Sequence, residues 1–139
     1  EWQRQSQCRR SKEIAKKCGL ELIMLHGKHF TEYYKIYSDI DLLICTSSSE
    51  GCCLPILEAS ACNIPVISTK VGCANELQHI KTFDTVDEAV EIINSLKNNF
   101  HDYANKLCNE VRTYRNWNYI VETYWKPAFD EKLTQSKFL

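Results

Sequence analysis

At 139 residues, with 44% apolar and 25% charged side chains, the chain has the make-up of one globular domain and is too short for two well-filled cores. Its 17 Lys and Arg balance 18 Asp and Glu to a net charge of −1, which excludes the basic surface of a nucleic-acid or anionic-membrane binder. No apolar run approaches the roughly 18 residues of a membrane span, and the apolar content is too high for a disordered chain.

Residues 2–18 are polar and basic with Ile14, Ala15 and Cys18 at helical spacing, and Gly19 supplies a helix stop. Leu22-Ile23-Met24-Leu25, between Gly19 and Gly27, is a continuous apolar run of the kind that forms a strand covered on both faces. A helix through Tyr33, Tyr34, Ile36 and Tyr37 follows, then a second buried strand at Leu42–Cys45 and a polar loop, Ser47-Ser48-Ser49-Glu50-Gly51. The next helix starts near Leu54-Pro55, because proline in the first turn has a preset φ and forfeits only an N–H that would be orphaned anyway, and it ends around Cys62-Asn63. Pro65-Val66-Ile67-Ser68 reads as the third strand and Ile80–Phe83 as a weaker fourth, after a turn holding Gly72. Thr85-Val86-Asp87-Glu88 is a capping box leading a helix with Val86, Ala89, Val90, Ile93 and Leu96 on one face. Two more helices are expected, from about Phe100 to Thr113 and from Trp117 to Lys132, the second bent at Pro127.

Buried strands alternating with helices predict an α/β fold with a mostly parallel, Rossmann-like sheet, in which ligands sit outside the carboxyl ends of the strands. The loop from Thr46 to Cys53 lies at such an end. Gly51 there can take φ > 0 and turn the N–H groups of Cys52, Cys53 and Leu54 one way at a helix start, a cradle for an anion or for sugar hydroxyls. Glu58, one turn into the helix, can accept two hydrogen bonds from a vicinal diol, as acids do for ribose in dinucleotide folds. Glu50 at the loop tip can contact a second polyol group. Such a pair suits a ligand with a hydroxyl-rich part at each end and phosphates between.

Eight cysteines, at positions 8, 18, 45, 52, 53, 62, 73 and 108, include no C-x-x-C and no Cys/His cluster, so no metal site is expected. Cys45, ending Ile40-Asp41-Leu42-Leu43-Ile44-Cys45, reads as a small buried hydrophobe. Free thiols and a cytoplasmic, reducing setting follow. Cys52-Cys53 opens a helix but has no partner His or resolving C-x-x-C, so thiol catalysis is not expected. The first residues, Glu1-Trp2-Gln3, carry neither Met nor an apolar leader, and the chain is read as cut from something longer.

Glu50 and Glu58 resemble the E-x7-E motif of retaining GT-B glycosyltransferases of group 1, which use nucleotide-sugar donors. The resemblance runs without a gap from Asp41 to Ile67, with Gly51, Leu54, Pro55, Ala59, Ala61 and Pro65 in register. Met24-Leu25-His26-Gly27 is similar to the family's strand ending in glycine, and Val71-Gly72-Cys73-Ala74-Asn75-Glu76 to its G-G-x-x-E turn. The resemblance implies that residues 1–139 are one C-terminal, nucleotide-sugar-binding domain of a GT-B fold. Its segment 114–139 would be the closing helix that crosses to an N-terminal domain holding the acceptor.

It further implies that Glu58 binds the donor ribose and that Glu50, as the catalytic residue, holds the sugar and diphosphate with the backbone of Gly51, Cys52, Cys53 and Leu54. Lys28 and His29 would line the base. No metal and no cofactor other than the donor itself are implied. The Arg and Lys that clamp the diphosphate in the family would precede this chain, leaving it catalytically silent alone, and Trp125 and Phe129 would be left exposed to favour self-association. Cys53 stands where the family has glycine, adding a Cβ where backbone meets ligand, and Asn63 replaces another glycine, the mildest change because Asn tolerates φ > 0. Two other readings stand beside this one: a non-catalytic nucleotide-sugar-binding or structural domain of the same fold, and a nucleotide-binding α/β domain of another class.

Overall fold

A computed structural model of the chain describes residues 2–24 and 30–127. The first helix, α1 (Trp2–Cys18), stops where Gly19 turns left-handed at φ 66°. The Gly19 N–H then reaches the Lys16 carbonyl at 3.4 Å and the Leu20 N–H reaches that of Ala15 at 2.9 Å, the paired bonds of a glycine-closed helix end. The strand expected next is not formed over its described part. Leu22–Met24 have no regular secondary structure and no ladder partner among the described residues, and Ile23 is 44% exposed. A continuous apolar run signals a strand only if a neighbour satisfies its N–H and C=O groups, and the neighbours in this sheet are all drawn from later segments.

Those later segments are α2 (Phe30–Asp39), β1 (Leu43–Cys45), α3 (Leu54–Ala61), β2 (Val66–Ser68), a 3-10 turn at Gly72–Asn75, β3 (Lys81–Thr82), α4 (Val86–Leu96), α5 (Phe100–Tyr114) and α6 (Trp117–Ile120). The sheet is parallel in the order β1-β2-β3, with Leu43 opposite Val66, Ile44 opposite Ile67, and Ile67 opposite Lys81. Alternation along the strands sends side chains to both faces. Leu43 and Val66 join Ile56, Ala59, Leu107 and Val111 beneath α3 and α5, while Ile67 joins Ile14, Phe83, Ala89, Ile93 and Leu96 beneath α1 and α4. The result is three layers, helix–sheet–helix, a Rossmann-like α/β arrangement. Val66, Ile67, Ile56 and Ile93 are almost wholly buried, each contributing about 1.5–3 kcal/mol of apolar burial.

Local chemistry closes the ends as the residue types suggest. Asn63 sits at φ 62°, and the Asn63 and Ile64 N–H groups return to the carbonyls of Ser60 and Ala59, each at 3.0 Å. Arg112 adds its guanidinium to the Ala61 carbonyl at 2.6 and 2.9 Å, a cation at a helix C-terminus. Thr85 and Glu88 form the reciprocal capping box of α4. The last segment departs from a simple bent helix: after four residues of α6 the backbone widens into a π turn at Val121–Trp125, where the Lys126 N–H reaches five residues back to Val121. Pro127 lacks an N–H and its ring needs room beside the carbonyl four residues back, so the extra residue lies just ahead of it. The remainder of that helix and Phe129 lie outside the described residues. Trp117, Tyr124 and Trp125 are exposed and stacked edge to face with one another or with Tyr119.

Candidate functional site

The parallel strands end together at Cys45, Ser68 and Thr82, so the turns that follow β1 and β2 lie side by side. They are bonded to each other. The Thr69 N–H donates to the Cys45 carbonyl at 3.0 Å, extending the ladder by one residue, and the Thr69 hydroxyl donates to the Ser47 carbonyl at 2.5 Å. Thr46, buried at the start of the turn, shares a 2.8 Å hydroxyl contact with Ser11 of α1. Behind the turn Gly72, at φ 47°, comes so close that a Cβ on it would stand 3.0 Å from the Gly51 carbonyl oxygen and 3.2 Å from the Cys53 nitrogen. The glycine that needs its freedom is therefore Gly72. Gly51, expected to be left-handed, lies outside that region, and a Cβ there would meet nothing within 4 Å.

The two glutamates stand on either side of the start of α3, both exposed. Glu50, on the turn, accepts the Ser47 hydroxyl at 2.7 Å on Oε1, and Glu58, in the second turn of α3, accepts the Tyr37 hydroxyl at 2.7 Å on Oε2. Burial and the neighbouring Glu58 carboxylate both raise the Tyr37 phenol above its ordinary value, so it stays a donor. Among the described residues each carboxylate is steered by one hydroxyl and retains most of its acceptor sites. Between them Cys53 occupies the position before α3 with φ −78° and ψ 84° and no side-chain cap. Of the expected backbone cradle, the Leu54 N–H is already turned onto the Cys52 carbonyl at 3.0 Å, whereas Cys52 and Cys53 donate to no backbone carbonyl among the described residues.

The side chains of the turn diverge. Cys52 and Leu54 are exposed, but Cys53 is buried in the core beneath α3, its Sγ 3.6 Å from that of Cys45. The expected Cβ in the ligand crevice is thus corrected: the added atoms at position 53 point inward. Lys28 and His29 lie outside the described residues. Tyr37, Ser47 and Thr69, which steer the acids and brace the turn, were not singled out from the sequence as site residues. Tyr37 stands 21 residues from Glu58 and reads in sequence only as part of a helical aromatic stripe. The one available signal was Ser47, three residues before Glu50 in a run of turn-forming serines.

Among the described residues no three His, Cys, Asp or Glu side chains are grouped to hold a metal ion, and no helix is long and apolar enough to cross a membrane. An open groove of about 690 Å³ lies elsewhere, between Glu76, His79, Glu110, Tyr114 and Tyr119, and neither Glu50 nor Glu58 borders it. Residues 4–113 match the model of a family described as glycosyl transferases group 1. No curated protein matches the chain.

Proposed function

The chain belongs to the group 1 glycosyltransferases, and on that footing we propose that it is the donor-binding part of a retaining, hexosyltransferase-type enzyme, with a nucleotide-diphosphate sugar held at the turn between β1 and α3. The observation that carries the reading is the pair of exposed carboxylates flanking one helix start at the carboxyl end of a parallel sheet, each aimed by a hydroxyl.

In this reading Glu58 accepts both hydroxyls of the ribose, and Tyr37 is the positioning residue that keeps Oε2 turned toward the crevice. Glu50 accepts hydroxyls of the sugar, and its charge favours the positive character that grows on the anomeric carbon as the bond to the diphosphate breaks. The negative charge that develops on the diphosphate is taken up by N–H groups at positions 51–53 and by the start of α3, where the helix dipole favours anions. Bracing from Thr69 and Gly72 holds this turn rigid, and rigidity matters because positioning supplies a large part of an enzyme's barrier reduction. Lys28 and His29 retain the base-lining role implied by resemblance. The acceptor would be held by an N-terminal GT-B domain, and the free thiols accord with a cytoplasmic setting.

Calorimetric titration with nucleoside diphosphates and nucleotide sugars tests the reading. Micromolar to millimolar binding that weakens in Glu58→Gln supports it, and failure of every nucleotide to bind would remove the donor site from this turn. Donor hydrolysis or transfer, measured on the same samples with Glu50→Gln as control, separates an enzyme from a domain that only binds.

A further inference from the structure

Cysteine thiols converge on the turn just described, although neither the donor nor the fold requires sulfur there. Cys45 closes β1 half-buried, Cys53 precedes α3 buried, and Cys73 of the 3-10 turn is buried behind both. The Cys45 and Cys53 sulfurs lie 3.6 Å apart, and the Cys73 thiol reaches the Cys53 carbonyl at 3.7 Å. The Cys45–Cys53 contact joins the end of a strand to the start of a helix. We propose that Cys45 and Cys53 form an oxidation-sensitive dithiol, which peroxide converts into a disulfide enclosing the turn that carries Glu50.

Closure needs the sulfurs to approach from contact to bonding distance, roughly 2.05 Å. That is about 1.5 Å of travel, within reach of small side-chain rotations at a helix start that has no side-chain cap. The electrostatics assign the roles. The Cys53 thiol donating to Cys45 outweighs the upward pull of burial, and with the Ser47 N–H it holds the Cys45 thiol below its ordinary value. The same contact and burial hold Cys53 above its own. Cys45, half-exposed, is thus the attacking thiolate and Cys53 the resolving thiol. Cys52 and Cys73 also interact, but burial first, and the Cys52 charge second, push Cys73 up to about 11.

The chemistry balances in two steps. The Cys45 thiolate attacks one peroxide oxygen, forming an S–O bond as the O–O bond breaks, and the departing hydroxide leaves as water after protonation. The Cys53 sulfur then attacks the sulfenic sulfur of Cys45, the S–S bond forms as the S–O bond breaks, and the hydroxyl leaves as water with the Cys53 proton. Two thiols lose two electrons in all, and one peroxide becomes two waters.

The test needs no donor, so its result is independent of the proposed function. The reduced full chain is titrated with hydrogen peroxide at neutral pH, remaining thiols are alkylated in denaturant, and the protein is cleaved after glutamate. Cuts at Glu32, Glu50, Glu58 and Glu76 send Cys45, the Cys52-Cys53 pair, and Cys62 with Cys73 to three different peptides. The expected product joins peptides 33–50 and 51–58 with the loss of two hydrogens and two free thiols, reverts with a dithiol reductant, persists in Cys52→Ala and vanishes in Cys45→Ala and Cys53→Ala. Should Cys53→Ala not fold, the wild type and Cys52→Ala decide alone. A join between 51–58 and 59–76 instead, or a peptide 33–50 still unlinked once other cysteines have reacted, overturns the proposal.

Discussion

Glu110 and Glu58 sit in two regions that use a carboxylate in opposite ways. Glu110 of α5, 8% exposed, accepts the Gln78 N–H at 2.6 Å, the His79 N–H at 2.9 Å and the His79 ring at 2.9 Å. The acid can only accept, so Nδ1 of His79 carries that proton. Burial pushes this carboxyl up, yet the two backbone N–H groups and the imidazole together hold it below the usual range. Glu58 is exposed and has one hydroxyl partner among the described residues. An acid whose acceptor sites are filled by its own fold ties the chain after the 3-10 turn to a helix, whereas one that is merely aimed keeps its capacity for a ligand.

Breaking the saturated acid has the largest expected effect. Glu110→Ala leaves two backbone N–H groups without their acceptor and should cost about 2–3 kcal/mol in denaturant unfolding, with nucleotide affinity of the folded fraction little changed. The pH dependence has a definite sign. Since the folded value is depressed, the stabilisation is fully present above the unfolded value of roughly 4.3 and is lost as pH falls through the lower folded value. Unfolding midpoints from pH 6 down to 2 should therefore fall less steeply in Glu110→Gln, and an equal fall would deny the acid this role.

Breaking the aimed acid should do the reverse. Glu58→Gln replaces a carboxylate by an amide with one acceptor oxygen, costing about 1.5–3 kcal/mol in nucleotide binding and less than about 0.5 kcal/mol in stability. Calorimetry and unfolding on the same variant distinguish the two regions at once. A stability loss without an affinity loss would place Glu58 with Glu110.

The glycines sharpen the contrast within the turn. Gly72→Ala must accept φ 47° and a Cβ 3.0 Å from a backbone oxygen, which should lower stability by roughly 1–2 kcal/mol, while Gly51→Ala, with open space, should change it by less than about 0.5 kcal/mol. Thermal unfolding of the pair checks this, and equal shifts would contradict the close approach. The smallest effect is expected from Tyr37→Phe. Removing one hydroxyl leaves Glu58 in place but unaimed, weakening nucleotide binding by about 0.5–1.5 kcal/mol.

Much of this was legible before any tertiary contact was known. The stops at Gly19 and Asn63, the capping box at Thr85 and the alternation of helices with doubly buried strands follow from backbone preferences and hydrophobic period, which act over a few residues, whereas the glycosyltransferase family was legible only through resemblance to its residue pattern. The run Leu22–Met24 misled because apolarity reports a wish to be buried, not whether a hydrogen-bonding neighbour exists. Gly51 misled because a loop glycine advertises freedom without saying which of two nearby glycines needs it.

Sequence alone determined the α/β class, the helix ends and the two candidate acids, since each rests on local propensity or on spacing along one segment. Only the tertiary structure decided that Cys53 turns inward to Cys45, that Tyr37 aims Glu58, that Gly72 backs the turn, and that Glu110 is spent on the fold. Cys53 turning in, Tyr37 aiming Glu58, Gly72 backing the turn and Glu110 holding His79 all join residues 8 to 31 positions apart, and such pairings are set by how the packed layers meet, which no local pattern encodes.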